Sequence, residues 1–251
     1  MFETIKMTMR IGILAEKDCL VFPWTNAHAV LTEANCKMVW FREIPTNRPR
    51  RGRKAIANRV CFRLVCMVEA CGQPSPYQRY DSPEAVDLTC RFSGHFKDFD
   101  EDSLQLLGDQ ELDVIVRLGG RGIYRGRVLD VARLGIISVH HGDDRAYRGG
   151  PPGFWEVVNR ERECGYVVQQ LGLVLDHGDI LARGAVPTKG TMTANQTALF
   201  DAADRELASV IEYIIATGNL PPAEGKTSSF GPIYTIPTAS DLVRYLKCRQ
   251  T

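Results

Sequence analysis

The segment LDVIVRLGGRGIYRGRVLDVARLGIISVHH, residues 112–141, decides the fold class. LDVIVRLGG (112–120) is an apolar run that ends in glycines, and GIISVHH (135–141) is a second one. Between them, IYRGRVLDVARL (123–134) has the spacing of a helix. A strand, a helix and a strand in that order make the unit of a parallel sheet with helices on its faces.

Working outward, MRIGILAEKD (9–18) reads as an opening strand, NAHAVLTEANCK (26–37) as a helix and MVWFREI (38–44) as a second strand. DEDSLQLLGDQE (100–111) reads as an amphipathic helix. After the histidine pair come a polar loop, a helix at 153–161, and strands at 164–171 and 179–187. A long amphipathic helix at 193–218 stops at Gly218, a natural C-terminal cap. The expected architecture is α/β, a mostly parallel sheet with helices on both faces. A catalytic domain would span residues 9–218, and a short extension, 219–251, would suit subunit pairing into a homodimer. Between residue 60 and the helix at 100–111 the pattern is harder to read: CFRLVCMVEAC reads equally as helix or strand, and QPSPYQRYDSPEA is turn-rich. The run with Arg48, Arg50, Arg51, Arg53, Lys54 and Arg59 reads as a solvated loop, with a phosphate clamp as the functional alternative.

The chain has 251 residues, 44% of them hydrophobic, with a formal net charge of +1. That charge offers no general attraction to nucleic acid or an anionic membrane. No apolar run has the length of a membrane span, and the N-terminal apolar stretch IGILA is too short for a secretory signal. A cytoplasmic location is expected. The eight cysteines lack zinc-site spacing, since Cys61, Cys66 and Cys71 recur every five residues, so reduced thiols and no metal are expected.

GGRGIYRG follows a strand, where a dinucleotide phosphate loop would lie, but Gly120, Gly122 and Gly126 are one residue too widely spaced. No acidic partner for a ribose ends the next strand. The better reading is a glycine-rich strand end that lets a flat ligand approach the backbone. His140 and His141 point to opposite sides if the strand runs through them, so they would not grip one metal together. Ligands of open α/β sheets bind outside the carboxyl ends of strands. A histidine there, with an ordinary pKa near ~6.5, suits a general base for an attacking amine. Asp176, 36 residues further on, is a candidate to support the imidazolium, with Asp179 as its competitor.

Residues 110–187 resemble the catalytic core of the folate-dependent formyltransferases, which act on tRNA-bound methionine, glycinamide ribonucleotide or amino sugars. Tyr147-Arg148-Gly149, Trp155, Gly165, Leu175-Asp176 and Gly178-Asp179-Ile180-Leu181 fall in family order without a gap. The resemblance implies a Rossmann-like sheet, 10-formyltetrahydrofolate as donor, and an Asn-x-His pair completed by an Asp. His140 and Asp176 map onto two of the three. Ser138 stands where the family has the Asn whose amide holds the oxygen of the tetrahedral intermediate. The donor would lie along Leu118, Gly119, Gly120, Arg121 and Gly122 and the loop Gly172, Leu173, Val174 and Leu175. That loop lacks the family's acidic residues. His141, Tyr147 and Arg148 would contact the acceptor.

The resemblance thus implies formylation of a small-molecule amine, an amino sugar or a specialised metabolite, with no nucleic acid or membrane partner. The short ending is unlike the additional domain of tRNA-specific members. The altered Asn position and loop keep two alternatives open. One is a different reaction on the same His/Asp pair, such as other acyl transfer, cyclisation or hydrolysis, including formyltetrahydrofolate hydrolysis. The other is a catalytically silent binding protein.

Overall fold

A computed structural model describes residues 8–34, 36–47, 53–69, 71, 74–80, 82, 84–172, 178–224 and 231–249. Nine strands of these residues form one sheet: β1 (Arg10–Glu16), β2 (Lys37–Pro45), β3 (Val86–Ser93), β4 (Phe96–Phe99), β5 (Val114–Gly119), β6 (Ile123–Tyr124), β7 (Ile136–His140), β8 (Glu163–Gln170) and β9 (Ile180–Pro187). Their spatial order is β9-β8-β7-β5-β1-β2-β3-β4-β6. The centre, β7-β5-β1-β2-β3, is parallel throughout. β8 and β9 extend it antiparallel on one side, and β4 pairs antiparallel with β3 on the other. The expected mostly parallel α/β sheet is therefore present.

Strands buried on both faces read as continuous apolar runs, and here each face has its own core. α1 (Thr25–Glu33) and the long α5 (Met192–Thr217) cover one face, where Ile11, Ile13, Val114, Val116 and Ile137 meet Leu199, Phe200 and Leu207. On the other face Leu14, Phe41, Ile115 and Ile136 pack with Leu107 of α3 (Glu101–Gly108) and with Tyr124, Val128 and Leu129. α3 starts at Asp100, whose carboxylate accepts from the Ser103 N–H at 3.0 Å. α5 starts at Thr191, whose hydroxyl accepts from the Ala194 N–H, and ends at Gly218 with φ of 71°.

α1 has no side-chain cap of its own. Asp204 of α5 supplies one instead: its buried carboxylate accepts from the backbone N–H groups of Asn26 at 2.8 Å and Ala27 at 3.1 Å. These are donors that a helix cannot satisfy internally. Docking of α5 is thus part of what starts α1.

Three regions differ from the sequence reading. Residues 123–134 are not an α-helix: Ile123 and Tyr124 pair with β4 as strand β6, and Gly126–Asp130 form a single 3₁₀ segment. Gly122 and Gly126 take φ of 86° and 73°, which interrupts helical backbone. Part of the basic run is helical, since α2 spans Arg53–Glu69; Arg48, Arg50 and Arg51 lie outside the described residues. Finally, the unpatterned region contains the β3–β4 hairpin.

The C-terminal extension folds back on its own chain. α6 (Ala239–Cys248) buries Leu242 and Tyr245 against Phe154, Val157 and Val158, around α4 (Trp155–Asn159). Ile233 and Tyr234 pair in parallel with Arg148 and Gly149. No described helix is long and apolar enough to cross a membrane. All eight cysteines are free.

Candidate active site

Alternation along β7 sorts its residues between the two faces. Ile137 enters the core under α1 and α5, whereas Ile136 enters the opposite core, the face that Ser138 and His140 continue to the carboxyl end. Ser138 and His140 line one cavity there, of about 180 Å³, with Arg117, Gly122, Tyr124, Gln169, Gly172 and Gly178. Register explains the grouping: Ser138 is paired with Arg117 on β5 and with Gln169 on β8, so three polar residues form a row across three strands.

His140 Nε2 lies 3.1 Å from the backbone carbonyl oxygen of Tyr147. A carbonyl only accepts, so neutral His140 carries its proton on Nε2 and keeps the Nδ1 lone pair free to take another. Gly142 permits this contact. A Cβ there would overlap the Tyr147 oxygen and lie 2.9 Å from His140 Nε2. The tight turn after β7 therefore orients the imidazole, a role that the sequence reading did not assign to Gly142.

His141 goes the other way, as alternation requires. Its ring meets Phe22 at 4.8 Å and Phe200 at 4.5 Å, both edge-on. Its Nε2 is buried and has no hydrogen-bond partner among the described residues. Burial, helped by His140, pushes its pKa down to about 3, so the ring stays neutral. His140 and His141 do not share a ligand site.

The glycine-rich turn is packed by the protein itself. A Cβ on Gly120 would lie 3.0 Å from Glu16 Cβ, and one on Gly122 would lie 2.8 Å from Phe92 Cε1. Leu118 is buried in the core beneath α1 and α5, and Gly119 packs on Val21. Arg121 pairs with Glu16 at 3.0 Å. Of this group, Gly122 reaches the His140 cavity, as does Gly172 of the second loop. Leu173, Val174, Leu175 and Asp176 lie outside the described residues.

Tyr147 and Arg148 occupy other ground. The Tyr147 ring stacks on Tyr234 at 5.2 Å, and its hydroxyl donates to Glu161 at 2.8 Å and accepts from Asn159 at 3.0 Å. It lines a separate groove of about 670 Å³ with Asp143, Arg145, Glu161 and Arg183. Arg148 joins the short ribbon with Ile233.

Beside the His140 cavity lies a buried ionic cluster that the sequence reading missed. Lys97 on β4 bridges Glu16 at the end of β1, at 2.9 Å, and Glu43 on β2, with all three buried. Burial works against the Glu16 carboxylate, but Lys97 and Arg121 outweigh it and hold its pKa down to about 2. Glu43 is shifted upward by burial. Arg117 was missed as well. Its guanidinium stacks 4.2 Å from the Tyr124 ring centre and donates to the Gly122 carbonyl at 3.0 Å. A single charged residue inside the apolar run VIVRLG was the available signal for it.

With this geometry in place, comparison with known proteins shows what the chain is similar to. No protein-family model matches the chain. The methionyl-tRNA formyltransferase of Synechococcus elongatus is 34% identical over 88 residues, 35% of this chain and 27% of that protein. The Ralstonia nicotianae enzyme of the same name is 28% identical over 169 residues, 62% of this chain and 51% of its own. The matches thus span about a quarter to a half of these curated relatives. Among solved structures, a sugar N-formyltransferase from Shewanella sp. superposes with a TM-score of 0.54 at 11% identity, covering 96% of this chain and 87% of that one. A sugar 3N-formyltransferase, WlaRD, solved with dTDP and 5-N-formyl-THF, gives 0.52 at 12% identity, covering 90% and 69%. The chain has the Rossmann-like formyltransferase fold. In sequence, its central segment is similar to methionyl-tRNA formyltransferases.

Proposed function

We propose that this chain is an N-formyltransferase that moves a formyl group from 10-formyltetrahydrofolate to the amine of a small molecule. The observation that carries this reading is the shared cavity of Ser138 and His140 at the carboxyl end of β7. Gly172 and Gly178, which flank the segment holding Asp176, line the same cavity. At about 180 Å³ it suits a formyl group and an amine, the reacting ends of two larger molecules. The buried Tyr124 hydroxyl and Arg117 Nε, unpartnered among the described residues, fit a polar reacting group rather than an apolar one.

10-Formyltetrahydrofolate would supply a formyl carbon attached to a nitrogen able to leave. His140 then takes the proton that the amine loses as its nitrogen bonds to that carbon, through Nδ1, while Tyr147 holds Nε2. Asp176 supports the imidazolium. Ser138 faces the oxygen that gains charge. His140 returns the proton to the donor nitrogen as its bond to the formyl carbon breaks, so protons and charges balance.

The acceptor we favour is an amino sugar or specialised metabolite. Net charge of +1 argues against a nucleic acid, and sugar N-formyltransferases share the fold over nearly the whole chain. The test is calorimetric titration with 5-formyltetrahydrofolate, followed by turnover of 10-formyltetrahydrofolate with dTDP-linked amino sugars. Micromolar binding and acceptor-dependent loss of donor would support the reading. No binding at millimolar ligand would sink it.

A further inference from the structure

We infer that Arg117 is the anion-holding group of the His140 cavity, taking the charge-stabilising part of the role that an amide at position 138 would play. The inference rests on the formyl-transfer reading for its chemistry, but the anion site itself stands on geometry.

Arg117 and Ser138 are registered partners on adjacent parallel strands, and both line the cavity that His140 lines. The surrounding structure fixes the guanidinium. One terminal nitrogen donates to the carbonyls of Gly122, at 3.0 Å, and Arg121, at 3.4 Å, while the plane stacks on Tyr124. Its buried Nε–H has no acceptor among the described residues, nor has the buried Tyr124 hydroxyl. Unsatisfied buried donors are costly and rare, and they cluster where something else completes them. Of the cations in the neighbouring cluster, Lys97 is already bound by Glu16 and Glu43, and Arg121 by Glu16. Arg117 makes no direct salt bridge among the described residues; Glu43 and Glu16 act on it electrostatically without contact, so its Nε–H stays available to a ligand.

A serine hydroxyl is shorter than an asparagine amide and reaches less far into a cavity. A cation across the strand pair offsets that loss, because fixed charge in a partly dry site stabilises a developing oxyanion strongly. In the transfer step, the pair of electrons displaced from the formyl C=O by the attacking nitrogen rests on the oxygen beside Arg117. It returns to reform C=O as the bond to the leaving nitrogen breaks.

Two measurements test this. The first uses formate as a small planar anion and follows the His140 imidazole resonances by NMR. Saturable shifts are expected in the wild-type protein, weaker binding in Arg117→Lys, and none in Arg117→Met. Absence of a saturable response in the folded wild-type protein, or an equal one in Arg117→Met, would overturn the inference whatever the reaction proves to be. The second is a double-mutant cycle on donor turnover. Arg117→Met should lower kcat by ~10²–10³-fold with little change in KM. Ser138→Asn, by restoring an amide, should return much of it. An equal loss from Arg117→Met with and without Ser138→Asn would show Arg117 to be merely structural. If no turnover is seen at all, the formyl-transfer reading fails, and the formate titration still decides on Arg117.

Discussion

His140 is held by the backbone of Tyr147, seven residues further on, and not by a side chain among the described residues: Nε2 meets the Tyr147 carbonyl at 3.1 Å across the turn at Gly142. A backbone partner fixes the tautomer regardless of which side chain stands at 147. The Tyr147 ring is then free to pack elsewhere, against Tyr234.

Gly142→Ala should therefore act on catalysis through His140. The added methyl would collide with the Tyr147 oxygen and crowd Nε2. His140→Ala removes the proposed base outright and should cost ~10²–10⁴ in kcat. Gly142→Ala should approach that loss while 5-formyltetrahydrofolate still binds, as read by calorimetry beside turnover. Full activity in Gly142→Ala would show that the turn does not position the base.

The Asp204 cap makes a stability prediction. Asp204→Ala leaves two N–H groups at the start of α1 without their acceptor, and should destabilise by ~1.5–3 kcal/mol. Asp204→Asn, which keeps an acceptor oxygen, should cost less. Urea midpoints of the three proteins decide this, provided that the slopes stay equal.

Buried His141 should make the fold sensitive to acid. Its pKa is about 3 in the fold against an ordinary 6.5, so the unfolded chain binds the proton first. Stability is fully present above pH 6.5 and falls as the pH drops towards 3, by at most ~1.4 kcal/mol per pH unit. Glu16, held at about 2 against 4.5, adds a loss of the same sign at lower pH. His141→Gln should flatten this profile between pH 6.5 and 4.5 and make it shallower down to about 3, where the Glu16 contribution remains.

Lys97→Met should destabilise the fold in a pH-dependent way. Two buried carboxylates would lose their shared cation, a change worth ~3–5 kcal/mol at neutral pH. Protonation of Glu43, already shifted upward by burial, relieves the strain on it, so the deficit should shrink as the pH falls. Thermal melts from neutral to mildly acid pH would show the gap to wild type narrowing.

By itself the sequence determined the parts that local pattern encodes. β5, β7, β8 and β9 are legible because strands covered on both faces must be apolar runs, and α5 because its stripe ends at a glycine. The position of His140 at the carboxyl end of its strand was legible as well. α2 was not, since Ile56, Val60 and Leu64 are exposed while Phe62, Val65 and Cys66 pack on the core, so its apolar residues do not form one clean stripe. Nor was the segment at 123–134, whose helical spacing is overridden by two positive-φ glycines and by pairing of Tyr124 with β4. Only the tertiary structure decided which residues meet. Strand register sets Arg117 beside Ser138, docking of α5 brings Asp204 to α1, and sheet order gathers Glu16, Glu43 and Lys97 at one end. Such contacts join residues far apart in the chain, and no local periodicity carries information about them.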